Sequence, residues 1–413
     1  MFNTNLIIGS YISNHRKTDG ISLNYVAECL GINKGTLSQI ENGKRDIDSE
    51  TLNQMLKFLD LKFECNISEL IELKKEVLTF LDALIDMNRN RIDSIYKNIF
   101  KENINRNSLC YFHYLLLEYS YKLNLNNYSY ELDNTFNILQ EYLNVFDSFE
   151  KYLFYITASK QFSFKNNFKQ SHEFLNKAKT ILPKDCDSIY LGVIYHKEAN
   201  MYNFKFQGFK AYQSAKDALS CFHGKPYYER QKYISISEAN ALSILGLYSE
   251  SESINLSLLN HISVNDYELI NTLYNNLSWN YILSQEYDLA IHYATLAINN
   301  HFSKYLVELN IPLALFLKGD YSKFSEVSYQ FTNNNIEFIK DYILLLDSVT
   351  QNRIQNIESL SIKIIKDCQN QSNLKLLEIT LIILRKYYLE QNDHYSVVKI
   401  DDELLKVLLP EIS

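Results

Sequence analysis

Between Ile8 and Leu61, apolar residues recur every three or four positions in short bursts separated by glycine. From Asn66 onward the same spacing persists in much longer stretches. Three-and-four spacing marks one buried face of a helix, so the pattern predicts an all-α chain. The bursts predict four or five small helices, four of which can be placed. A first covers Ile8 to Arg16, and a second is capped by Ser22 and runs through Val26, Ala27 and Leu30 to Gly31. A third begins at Asn33, buries Leu37 and Ile40, and ends at Asn42-Gly43; Ser49 opens a fourth through Leu52, Met55, Leu56 and Leu59. Asn66 with Glu69 three residues on is a good helix start. Leu70, Leu73, Val77, Leu81, Leu84 and Ile85 carry that helix forward as a linker.

Composition sharpens this picture. The 413 residues include only 10 Gly and 4 Pro, so little interrupts helix, and five of the glycines (Gly9, Gly20, Gly31, Gly35, Gly43) precede residue 44. A chain of this length exceeds one ordinary core. The expected division is a head at 1–63, a linker helix at 64–88 and a repeat domain at 89–413.

The long segment repeats itself. HKEANMY (196–202) and ISEANAL (236–242) match at an interval of 40 residues. YNNLSWNYILSQEYDLAIHYATLAI (274–298) reads as a helical hairpin, with Leu277 and Ser278 at the crossing and Ala290, Ala294 and Ala297 on the second helix. Small residues there let two helices pack closely. Phe168, Phe209, Tyr248, Tyr287 and Tyr321 take equivalent places after successive turns. About nine hairpins are expected between residues 70 and 410. Stacked hairpins make a superhelix whose concave wall is lined by the first helix of each pair. The register assigns Lys160, His196, Asn200, Asn203, Asn240, Asn275 and Trp279 to that wall. An asparagine amide donates and accepts at once, which suits an extended peptide backbone, and Trp279, the only tryptophan, offers a flat apolar contact.

Charge and cysteine usage exclude other classes. The net charge of −8 averages over the chain, while residues 1–62 hold seven basic and seven acidic side chains. Arg16, Lys17, Lys34, Lys44 and Arg45 are expected to gather on one face of the head. The six cysteines are scattered without CxxC pairs or metal-spaced histidines, so they read as reduced residues of a cytoplasmic protein with no metal and no cofactor. No run of eighteen apolar residues predicts a membrane span, and the N-terminal stretch lacks the charge order of a secretory leader. No nucleophile–base set or phosphate loop predicts an enzyme.

The segment SLNYVAECLGINKGTLSQIENGKRDIDSETLNQMLKFL resembles the helix-turn-helix family of phage repressors and Xre-type regulators. The resemblance implies a recognition helix whose exposed Lys34, Thr36, Ser38 and Gln39 face the major groove, with Ser22, Asn42, Lys44 and Arg45 at the phosphate backbone. The hairpin at 274–298 resembles a tetratricopeptide repeat. Together the halves resemble the RRNPP group of quorum-sensing regulators (the NprR, PlcR and Rgg type). That resemblance implies a cytoplasmic homodimer that binds operator DNA and a short signalling peptide, which alters dimer geometry. Two alternatives share the plan: repeats that bind a partner protein such as a response regulator, and a phage arbitrium-type receptor.

Overall fold

The computed structural model describes residues 3–101, 104–125, 129, 131–263, 266–299, 305–331, 337–370 and 374–408. Among them the chain is helical, and its only strand-like pairing is an isolated bridge between Glu64 and Ser108. It divides into two compact units, Met1–Ile194 and Tyr195–Ser413.

The first unit opens with four short helices, α1 (Thr4–Thr18), α2 (Leu23–Leu30), α3 (Lys34–Glu41) and α4 (Ser49–Phe58). Ser22, Asn33 and Asp48 cap the last three by accepting a backbone N–H. Ile8, Tyr11, Ile12, Val26, Leu37, Ile40 and Met55 form their common core. Gly9 explains how tightly α1 crosses α3: a Cβ there would stand 2.2 Å from the carbonyl oxygen of Ile40. The helix α1 extends beyond the expected Ile8–Arg16 at both ends.

The rest of this unit comprises α5 (Ile67–Asp86), α6 (Arg89–Ile99), α7 (Tyr111–Asn124), α8 (Glu131–Glu141), α9 (Ser148–Phe164), α10 (Phe168–Ile181) and the start of α11 (Ile189–Phe204). The head packs directly on it. Tyr11 donates to Asn107 Oδ1 at 2.9 Å, Asn14 donates to the Tyr111 hydroxyl at 3.1 Å, and Tyr142 donates to Ser13 Oγ at 3.3 Å. Beneath them, Lys74 of α5 and His113 of α7 converge on the buried Glu150 of α9, at 2.7 and 3.2 Å. Burial alone would raise the Glu150 carboxyl pKa, but His113 and Lys74 override it and hold it down at about 2.

The second unit continues through α12 (Gly208–Phe222), α13 (Tyr228–Ile244), α14 (Tyr248–His261), α15 (Tyr267–Leu283), α16 (Tyr287–Asn299), α17 (Tyr305–Lys318), α18 (Tyr321–Phe331), α19 (Glu337–Thr350), α20 (Ile354–Asn370), α21 (Leu374–Glu390) and α22 (His394–Leu408). Each helix packs on its successor, and the first helices of successive pairs, α13, α15, α17, α19 and α21, also touch in series. Among the described residues the second helices do not pack on one another to the same extent. The closer row is the shorter, inner circumference of a curved stack, so the odd-numbered helices line its concave side.

One turn geometry recurs within the hairpins of both units. Asn166, Phe206, Gly246, Gln285, Gly319, Asn352 and Asn392 all have positive φ, between 53° and 82°. Each lies just before the second helix of its pair, and in each the next residue's N–H reaches back five positions, as in Gln207 to Tyr202 and Glu286 to Tyr281. This is a Schellman closure, which satisfies orphan carbonyls at a helix end. Only two of the seven positions are glycine, so the motif is nearly silent in composition. Phe168, Tyr248, Tyr287 and Tyr321 begin the helices that follow, and Phe209 is second in its own.

Candidate functional site

In the head, Gly31 adopts φ 66° and turns α2 into α3, with Ile32 N–H donating to the Ala27 carbonyl at 2.9 Å. The recognition helix α3 then splits into two faces. Leu37, Ile40 and Glu41 are buried, whereas Lys34 and Gln39 are exposed and Thr36 and Ser38 half-exposed. Ser22, Asn42, Lys44 and Arg45 are exposed as well. The loop after α3 is folded against it: Asn42 Nδ2 donates to the Ser38 carbonyl at 2.7 Å, and Arg45 reaches Thr36 Oγ1 at 3.4 Å. The eight expected DNA-facing residues are therefore all exposed or half-exposed, and Asn42 and Arg45 are folded against α3.

The basic face is smaller than expected. Arg16 is buried and forms a two-pronged pair with Glu41, Nε to Oε1 at 2.7 Å and Nη2 to Oε2 at 2.8 Å, and donates to the Ile21 carbonyl at 2.7 Å. Lys17 pairs with Glu141. Arg16 faces inward because α1 is packed on two sides, which amphipathic spacing alone did not reveal, whereas Lys17 stays exposed and is engaged by Glu141 at the surface. The nearby acids are also engaged. Asp46 accepts from Asn5, and Asp48 caps α4, where hydrogen bonds from Thr51 hold its carboxyl pKa below the ordinary value. Lys34, Lys44 and Arg45 are left as the exposed cations of this surface.

The wall residues are placed more variously. His196, Asn200 and Asn203 come together on Ser237 of the next inner helix. Ser237 Oγ donates to Asn200 Oδ1 at 2.7 Å, Asn203 Nδ2 donates to the Ser237 carbonyl at 2.8 Å, and His196 Nε2 lies 3.2 Å from Ser237 Oγ. Arg230 meets His196 Nδ1 at 3.0 Å. Burial, with Arg230 beside it, holds the imidazole pKa far below its ordinary value, so the ring is neutral and accepts from Arg230. His196 is thus a packed residue joining α11 to α13. Asn203 keeps a buried Oδ1 without a hydrogen bond.

Lys160 lies half-buried, donating to the Asn124 carbonyl at 3.3 Å. Asn240 is half-buried, and Asn275 accepts from Asn310 at 3.3 Å. Trp279 is only 8% exposed, and the ammonium of Lys375 sits over its ring, 3.1 Å from the centroid. Sequence reading missed Ser237, Arg230, Asn310, Lys375 and Glu378. Ser237 was visible inside the ISEANAL repeat, one residue past the position matching His196. Arg230, Asn310 and Lys375 carry no periodic signal, because they meet His196, Asn275 and Trp279 one or more hairpins away.

A helix-turn-helix head followed by tetratricopeptide-like hairpins is therefore the architecture of this chain. Residues 12–64 match the helix-turn-helix family model. A search of curated proteins found no match to the chain. Among solved structures, a Rap protein complexed with competence and sporulation factor aligns with a TM-score of 0.66 at 14% identity, over 83% of this chain and 98% of that one. The apo quorum sensor NprR from B. thuringiensis aligns with a TM-score of 0.61 at 14% identity, over 83% and 100%. NprR with its cognate peptide NprX aligns with a TM-score of 0.55 at 14% identity, over 80% and 99%. At such identities the likeness establishes the shared fold.

Proposed function

We propose that this chain is a transcription regulator whose head, residues 1–63, binds operator DNA and whose repeats, residues 89–413, bind a short signalling peptide. The observation that carries the DNA half is the exposed edge of α3: Lys34 and Gln39 point to solvent while Leu37 and Ile40 lock the same helix into the core. Lys34 suits a guanine edge or a phosphate, and Gln39 suits a bidentate contact with adenine. The peptide half is supported by the curved inner wall and by its likeness to the NprR–NprX structure. A homodimer presenting two heads to two half-sites fits the small cationic surface of each head, since affinity is then shared between them. In this reading the peptide alters the dimer's geometry, and the chain works in the cytoplasm; among the described residues no helix is long and apolar enough to cross a membrane. A second reading is favoured by the Rap likeness: the repeats engage a partner protein.

Fluorescence anisotropy with duplex DNA from upstream of the gene, over a salt series, tests the DNA half. Gln39→Ala should weaken binding by about 1–3 kcal/mol and relax base preference at one position. Lys44→Ala should lower the salt slope by about one unit across all sequences. Binding equal to random duplex there, and again after selection from random DNA, would remove the head's assigned role.

A further inference from the structure

Beyond the general wall, one constellation in the second unit is built to hold a positive charge. Trp279 of α15 presents its ring to the Lys375 ammonium at 3.1 Å from the centroid. Glu378, one turn further along α21, is 4% exposed. Its Oε2 makes no hydrogen bond, and the same ammonium stands 3.8 Å from it, beyond hydrogen-bond reach. Burial, and after it the Glu378 charge, raises the Tyr248 pKa. An aromatic face backed by a buried carboxylate is the usual receptor for a cation.

Lys375 fits that receptor poorly. It is the second residue of α21, where the helix dipole opposes a positive charge. Its side chain as a whole is 31% exposed, while the ammonium end is the buried part. Burial also depresses its pKa to about 7, so the charge it supplies is easily given up. A guanidinium, always charged and planar, would stack on the indole and reach the carboxylate at once.

We propose that the Trp279–Glu378 seat anchors a basic group of the peptide ligand, and that Lys375 is a built-in occupant displaced on binding. This rests on the peptide reading above and assigns the chemistry of one anchor. The basic group is either an arginine or lysine side chain or the peptide's amino terminus.

The full-length protein would be incubated with a pool of synthetic random octapeptides, and retained peptides recovered by gel filtration and sequenced by mass. The best binders would be resynthesised and titrated against Trp279 emission, with calorimetry as an independent measure. Retained peptides should be rich in Arg or Lys, or should depend on a free amino group. Replacing that Arg by citrulline, or acetylating the terminus, should weaken binding at least tenfold and so tell the two sources apart. Glu378→Gln should remove that discrimination while still binding the modified peptide, which shows that the variant is folded. Lys375→Met should tighten binding several-fold, a gain that misfolding cannot imitate. Retention without basic preference, or equal affinity for the modified peptides, overturns the seat and leaves the peptide reading standing. Retention of no peptide at all overturns both.

Discussion

The pair between Arg16 and Glu41 ties the first helix of the head to the end of its recognition helix, and it lends itself to a quantitative test. Their side chains are 8% and 6% exposed, with two parallel contacts at 2.7 and 2.8 Å. Donating hydrogen bonds to Glu41 pushes the already high Arg16 pKa higher still. Glu41→Ala leaves a guanidinium buried with only the Ile21 carbonyl as acceptor, and breaking a buried pair this way costs about 3–5 kcal/mol. At 1.36 kcal/mol per decade, local opening of α1 and α3 should become roughly 150- to 5000-fold more frequent. Hydrogen–deuterium exchange of those amides reads this directly, and the second unit serves as an internal control. Replacing both partners, Arg16→Met with Glu41→Leu, removes the charges together and should restore most of the lost protection. DNA affinity should fall in Glu41→Ala with the salt slope unchanged, because no phosphate contact is lost. A single variant that costs under about 1 kcal/mol, or a double variant as unprotected as the single, would show that the pair does not hold the head together.

Other expectations follow from the same geometry. Gly9→Ala drives a methyl group into the Ile40 carbonyl, so exchange protection across α1 and α3 should fall and DNA binding with it. Tyr11→Phe removes the hydroxyl that bonds Asn107; the lost contact is worth about 1 kcal/mol and should show as faster exchange at the junction of head and α7. The Glu150 carboxyl is depressed to about 2 from an unfolded value near 4.5, so its contribution is fully present above about pH 5. It is lost as the pH falls toward 2, and by linkage it amounts to about 3 kcal/mol at most. Urea melts of Glu150→Gln against wild type should therefore converge as the pH drops from 5 to 2.5. Parallel curves over that range would show that His113 and Lys74 do not hold the carboxylate.

Much of this molecule was legible without coordinates. Periodicity at three and four residues is a local property of helices, so the all-α class and the long linker helix could be read directly. The caps at Ser22, Asn33 and Asn66 are equally local, since each bonds a backbone group within three residues. The 40-residue repeat HKEANMY/ISEANAL and the exposed residues of α3 follow from the same logic: a buried stripe defines its opposite face. What needed the tertiary structure was every partnership across a large separation in the chain. Arg16 looked like a surface base until Glu41, 25 residues away, closed over it. The contacts of His196, Asn200 and Asn203 with Ser237 likewise cross 34 to 41 residues of chain, which repeat register alone does not reveal. Trp279 and Lys375 stand almost a hundred residues apart, and their contact depends on how three successive hairpins curve. A repeat's sequence specifies each hairpin and its nearest neighbour. The curvature that brings distant hairpins together is the sum of small rotations that no single residue encodes.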